Sequence, residues 1–122
     1  GGLAALRAKS LAMTRLFAEL AGTRLAGHGI ELVSPRDDAQ RGSQVCLTRS
    51  EGCFAIVQAL IARVVIGDFL AGDAHEPDIM RFGFTPLYLR HVDVWDAVEH
   101  LHEVLASIQW RDERFQHRAA VT

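Results

Sequence analysis

Apolar residues first recur at helical spacing. Leu3, Leu6, Met13, Leu16, Phe17 and Leu20 fall three, four or seven apart, which predicts one amphipathic helix from about Leu3 to Ala26, stopped near Gly27 and Gly29. The pattern then shortens. Ile30 to Val33 is a strand candidate, and Ser34 to Ser43 is a polar loop around Pro35. In Gln44 to Arg49, Val45 and Leu47 alternate with other residues, which suits a half-buried strand. Ser50 is placed to cap the next helix, with Glu51 in its first turn and Cys53, Ile56, Val57, Leu60, Ile61 and Val64 as its apolar stripe. Val65 to Phe69 is a third strand candidate, Leu70 to Asp78 a loop, and Ile79 to Phe84 the last strand. Asp93 is placed to cap a helix in which Val94, Trp95, Val98, Leu101, Val104, Leu105 and Ile108 repeat at three and four. The stretch after Trp110 is polar and reads as extended.

The loops are too short for most parallel crossovers. The expected class is therefore α+β: a small, mainly antiparallel sheet with helices on one face, preceded by a long N-terminal linking helix. The expected division is one domain over 1–122, with the linking helix at 1–27, the α+β core at 28–110 and a tail at 111–122. A chain that opens directly on a long helix reads as a portion of something larger.

One strand asks a chemical question. In the run Ile79-Met80-Arg81-Phe82-Gly83-Phe84-Thr85-Pro86-Leu87-Tyr88 a single arginine interrupts an apolar segment. Period-2 alternation puts Met80, Phe82 and Phe84 on one side and Ile79, Arg81 and Gly83 on the other. Glycine inside a strand often marks the close approach of a ligand or another backbone. Arginine offers a planar fork of donors that matches a carboxylate or phosphate. The pattern suits an anion on the sheet surface, with the sheet's second face free and Arg81 on it. An ordinary solvent-facing arginine is the commoner explanation of such a stretch taken alone.

Composition narrows the classes. The chain has 122 residues, 49% hydrophobic and 23% charged, which is one ordinary globular domain. A net charge of −2 gives no reason to expect nucleic acid or an anionic membrane surface as partner. No apolar run is long enough for a transmembrane helix, and the N-terminus lacks the order of a signal peptide, so the cytoplasm is expected. Cys46 and Cys53 match neither a zinc nor a redox spacing and read as buried free thiols.

Other candidate chemistry is weak. Six histidines form no ligand spacing: His100 and His102 are two apart on a helix and point to different faces. Glu99 and Glu103 are one turn apart, and such pairs on a terminal helix are usually solvated. Gly67-Asp68 reads first as a turn. No serine has a nucleophile-elbow context, and no phosphate-binding glycine loop is present. Only Arg81 with Gly83 keeps a specific ligand-binding rationale.

Taken together, "RGSQVCLTRSEG", "QALIARVVIGDF" and "PDIMRFGFTPLYLRHVDVWDAVEHL" resemble the C-terminal part of bacterial kynureninase, and "ALRAKSLAMTRLF" and the closing "AAVT" are similar to the same family. The resemblance covers nearly the whole chain. It implies the small domain of a pyridoxal-phosphate enzyme of the aspartate-aminotransferase fold, which hydrolyses L-kynurenine to anthranilate and L-alanine. It implies that Arg81, beside Gly83, grips the substrate's α-carboxylate. The Schiff-base lysine and most phosphate contacts belong to the family's large domain. The one lysine here, Lys9, lies at the start of the linking helix and has no claim to that role, so no cofactor site is expected in this chain alone. Two local departures are Val64, where the pattern "RGVIGDF" has glycine, and the extra stretch "LAGDAHE", Leu70 to Glu76.

Two further readings stay open: a stand-alone module that retains the carboxylate site, and a homo-oligomeric interaction protein. The expected partners are the parent enzyme's large domain, a small carboxylate, and a second copy of the chain. The apolar residues from Leu3 to Leu20 cover more of the first helix than one small sheet can bury, which predicts a homodimer built on that helix.

Overall fold

The computed structural model describes residues 2–33, 44–63, 65, 67–83 and 90–116. The expected loop at Ser34 to Ser43, the stripe position Val64, the strand end at Phe84 and the tail beyond Gln116 lie outside the described residues.

The element order is α1 (Gly2–Arg24), β1 (Glu31–Val33), β2 (Gln44–Thr48), α2 (Cys53–Ala62), β3 (Asp68–Leu70), β4 (Ile79–Gly83), α3 (His91–Ala106), a 3-10 turn (Gln109–Arg111) and α4 (Glu113–Gln116). The four strands form one antiparallel sheet in the order β1-β2-β4-β3. This is the expected α+β arrangement with its long N-terminal helix. No helix among the described residues is long and apolar enough to cross a membrane.

Strand register explains how the sheet faces divide. Val45 pairs with Phe82 and Leu47 with Met80, so these four side chains share one face. They join Met13, Phe17, Leu20 and Ala21 of α1, Ile56, Val57 and Leu60 of α2, and Val94, Val98, Leu101 and Val104 of α3 in a single core. The helices thus cover one side of the sheet. The Phe17 ring meets the Phe82 ring at 5.2 Å between centroids and couples α1 to the centre of β4.

The first helix is used unevenly. Its buried residues are Met13, Thr14, Phe17, Leu20 and Ala21, all in its C-terminal half. Leu6, Leu11 and Leu16 are half-buried and Leu3 is 85% exposed. The helix stops where expected, as Gly27 and Gly29 adopt φ of 86° and 78°. Near that end, Arg24 donates to both carboxylate oxygens of Glu99 at 2.8 and 2.9 Å and joins α1 to α3. Arg63 reaches Glu103, His100 Nδ1 and Gln109 and so joins the end of α2 to α3 and the 3-10 turn. Glu99 and Glu103, expected to be simply solvated, each hold an arginine of another segment. His100 and His102 do point apart: His102 meets the ring of His28 rather than Arg63.

Several boundaries differ from the expected ones. Ser50 does not cap α2. Gly52 holds the N-cap position at φ 83°, and a Cβ there would lie 2.6 Å from the Trp110 ring. Tertiary contact with Trp110, unseen in the local sequence, set this start. Asp93 is not the cap of α3 but its third residue: its carboxylate accepts from the Arg90 N–H at 2.6 Å, and α3 starts at His91. The third strand begins at Asp68 rather than Val65, because the N–H groups of Arg63 and Val65 both turn back to the Leu60 carbonyl and prolong the end of α2. The polar stretch after Trp110 is not extended. It forms the 3-10 turn and α4, since Phe115 is buried in the core and the Trp110 ring meets the guanidinium groups of Arg49 and Arg111 at 5.0 and 4.8 Å. Cys46 and Cys53 are both buried, and neither is in a disulfide among the described residues.

Candidate functional site

Arg81 lies at the middle of β4 on the face away from the helices. Its register partners are Cys46 on β2 and Asp68 on β3. Paired residues of antiparallel strands share a face, so Gln44, Cys46, Ile79, Arg81, Gly83 and Asp68 form one surface. That face is not bare, as had been expected. Cys46 and Ile79 are only 2% and 3% exposed, and the Arg81 side chain is 27% exposed. Gly83, opposite Gln44, is exposed and adds no side chain beside the arginine.

The arginine is only partly committed. Its Nη2 donates to Asp68 Oδ2 at 2.8 Å, while its Nε is buried with no hydrogen-bond partner among the described residues. The Gln44 Oε1 is the other buried side-chain polar atom without a partner among the described residues. A charged donor with an unmade hydrogen bond in a buried place is costly unless something supplies the acceptor. Asp68 is 63% exposed in its side chain, so its pairing with Arg81 is screened by water and weak. The arrangement can hold an anion that takes the Nε edge of the guanidinium.

Backbone packing positions this edge. Gly67 precedes Asp68, and a Cβ at Gly67 would lie 2.7 Å from the Phe82 ring and 3.3 Å from the Arg81 carbonyl oxygen. The close pass lets β3 bring Asp68 up to Arg81. Gly72 holds the following loop: a Cβ there would collide with the Glu76 carbonyl at 2.2 Å, and its N–H donates to Asp78 Oδ1. Asp68 and Gln44 were missed as members of the site. Asp68 read as a turn residue because its partner is 13 positions away. Gln44 could have been found, since alternation in β2 already opposes it to Val45 and Leu47.

A pyridoxal-phosphate site does not fit the described residues. The one lysine, Lys9, is in the half of α1 that precedes its buried residues, whereas Arg81 is on β4, on the sheet face opposite the core. A Schiff-base lysine and a carboxylate grip must reach the same small substrate. Among the described residues no group of three His, Cys, Asp or Glu is placed to hold a metal ion.

The family profile described as the kynureninase C-terminal domain matches residues 6–101. Kynureninase of Pseudomonas fluorescens is 52% identical over 120 residues, which is 98% of this chain and 27% of that protein. Kynureninases of Burkholderia mallei and Burkholderia pseudomallei are each 52% identical over 118 residues, 97% of this chain and 27% of theirs. The chain thus spans about a quarter of the length of the curated relatives it matches. With a match that runs from the first helix through most of α3, the chain belongs to the kynureninase C-terminal domain family.

Proposed function

We propose that the chain serves as the small domain of a cytoplasmic kynureninase-type hydrolase, which cleaves L-kynurenine to anthranilate and L-alanine. In this reading Arg81 binds the substrate's α-carboxylate. A large domain supplies the pyridoxal phosphate and its lysine, and the chain by itself does not turn over substrate. The observation that carries the reading is the Arg81 Nε, buried and unpartnered on the sheet face opposite the helices, beside Gly83. The cofactor, when bound by the large domain, supplies the electron sink for the chemistry. The residues of this chain bind and orient the substrate. Arg81 fixes the carboxylate end, and Asp68 holds the guanidinium through Nη2, which leaves the Nε–H for the substrate.

The test replaces the C-terminal quarter of the Pseudomonas fluorescens enzyme with this chain. The chimera is expected to hydrolyse L-kynurenine. Arg81→Lys keeps the charge but loses the fork, and is expected to raise KM about tenfold to a hundredfold. An active chimera with unchanged kinetics in Arg81→Lys overturns the carboxylate role. The chain alone, reduced with borohydride in the presence of pyridoxal phosphate, is expected to give no stoichiometric adduct at Lys9. Turnover of kynurenine by the chain alone overturns its dependence on a large domain.

A further inference from the structure

Both buried side-chain atoms left without a partner among the described residues, Arg81 Nε and Gln44 Oε1, belong to the same sheet face. Gln44 is opposite Gly83 and Arg81 opposite Cys46, so the two residues are diagonal neighbours across β2 and β4. Diagonal positions are within reach of long side chains. Gly83 puts no side chain between them, and the nearby side chains of Cys46 and Ile79 offer no strong hydrogen-bonding group.

From this juxtaposition we infer that Gln44 is a second carboxylate-binding residue, whose amide N–H and the Arg81 Nε–H converge on one anion. The inference rests on the carboxylate reading of Arg81 given above. At its Oε1 the amide has no hydrogen-bond partner to lose among the described residues. The oxygen and nitrogen of a side-chain amide are exchanged by a half-turn. With no anion present, the oxygen end faces the cation's side of the sheet. With a carboxylate on Arg81, the donor end turns inward and gives that carboxylate a second, neutral donor. A neutral donor beside a cation suits an anion of single charge. It strengthens the grip without adding a second positive charge that Asp68, already on Nη2, would have to balance. Cys46, buried between the two in register, provides the low-polarity floor on which both bonds gain strength.

The experiment uses the full 122-residue chain and the probes acetate and acetamide, added at constant ionic strength. The Arg81 Nε–H and the Gln44 side-chain N–H₂ signals are followed by ¹H–¹⁵N NMR. Acetate is expected to shift both with one common dissociation constant, and acetamide to shift neither. Gln44→Glu, of the same shape but bearing an acceptor of like charge, is expected to weaken acetate binding about tenfold or more, and Gln44→Leu by less. If acetate moves Arg81 Nε–H alone, and Gln44→Leu binds as wild type does, the role of Gln44 is overturned while the Arg81 reading stands. If acetate moves neither signal, both readings fail. The wild-type shifts decide the matter even if a variant does not fold.

Discussion

At the scale of single residues, burial of groups with unequal needs sets the site and its surroundings. Gly67 is there because the Phe82 ring and the Arg81 carbonyl leave no room for a methyl group. Gly67→Ala is expected to cost about 1–3 kcal/mol in denaturant unfolding and to disturb the pairing of Asp68 with Arg81. Cys53 shows the opposite case, a titratable group held in its neutral form. Burial pushes its thiol above the ordinary value of 9.0, and the negative charge of nearby Asp78 acts in the same direction. In the window between that ordinary value and the raised one, the unfolded thiol has lost its proton and the folded thiol has kept it. The contribution to stability is therefore complete below about pH 9 and is lost as pH rises through the window. Unfolding free energy measured from pH 8 upward is expected to fall, and Cys53→Ala to flatten that slope. An identical slope in the variant would assign the alkaline loss to other groups.

At the scale of elements, α1 divides into two halves with different energetics. Phe17 is fully buried and stacks near Phe82, whereas Leu3 is exposed. Phe17→Ala is expected to cost about 3–5 kcal/mol, from lost burial and the cavity it leaves. Leu3→Ala is expected to change stability by no more than about 0.5 kcal/mol. Equal costs at the two positions, read from chemical denaturation, would mean that the whole helix packs on the sheet. The start of α3 offers a smaller test. The Asp93 carboxylate receives the Arg90 N–H and lies in the first turn, where the helix dipole favours a negative charge. Asp93→Ala is expected to cost about 1 kcal/mol, with fraying confined to the first turn in hydrogen exchange.

At the scale of the whole molecule, the buried core is at one end of α1 and the arginine site is across the sheet from it. Leu3 is exposed and Leu6 is half-buried, so an apolar strip continues past the domain's own core. We propose that this strip is the contact for a second copy of the chain. The isolated chain is expected to show a mass that rises with concentration from 13.5 kDa toward twice that value in light scattering. The double variant Leu3→Glu with Leu6→Glu is expected to stay monomeric. A wild-type chain that remains a monomer at the highest concentrations would remove the second copy as the occupant.

The sequence by itself determined the α+β class, the long first helix with its glycine stop, the core face of β4 and the opposite face that carries Arg81. Each of these depends on periodicity or on the backbone freedom of glycine, which act over a few neighbouring residues. Starts of elements were less legible. Ser50 had the right chemistry for a cap, yet Trp110, almost sixty positions later, selected Gly52. The polar composition after Trp110 concealed α4, whose single anchor is Phe115. The tertiary structure alone decided which charges meet. Asp68 reaches Arg81, Glu99 holds Arg24, and the orphaned Gln44 oxygen lies diagonal to the orphaned Arg81 nitrogen because the strand order β1-β2-β4-β3 sets β2 and β3 on either side of β4. Hydrogen bonds and ion pairs act over a few ångströms in space, so partners far apart along the chain become visible only when register and packing have brought them together.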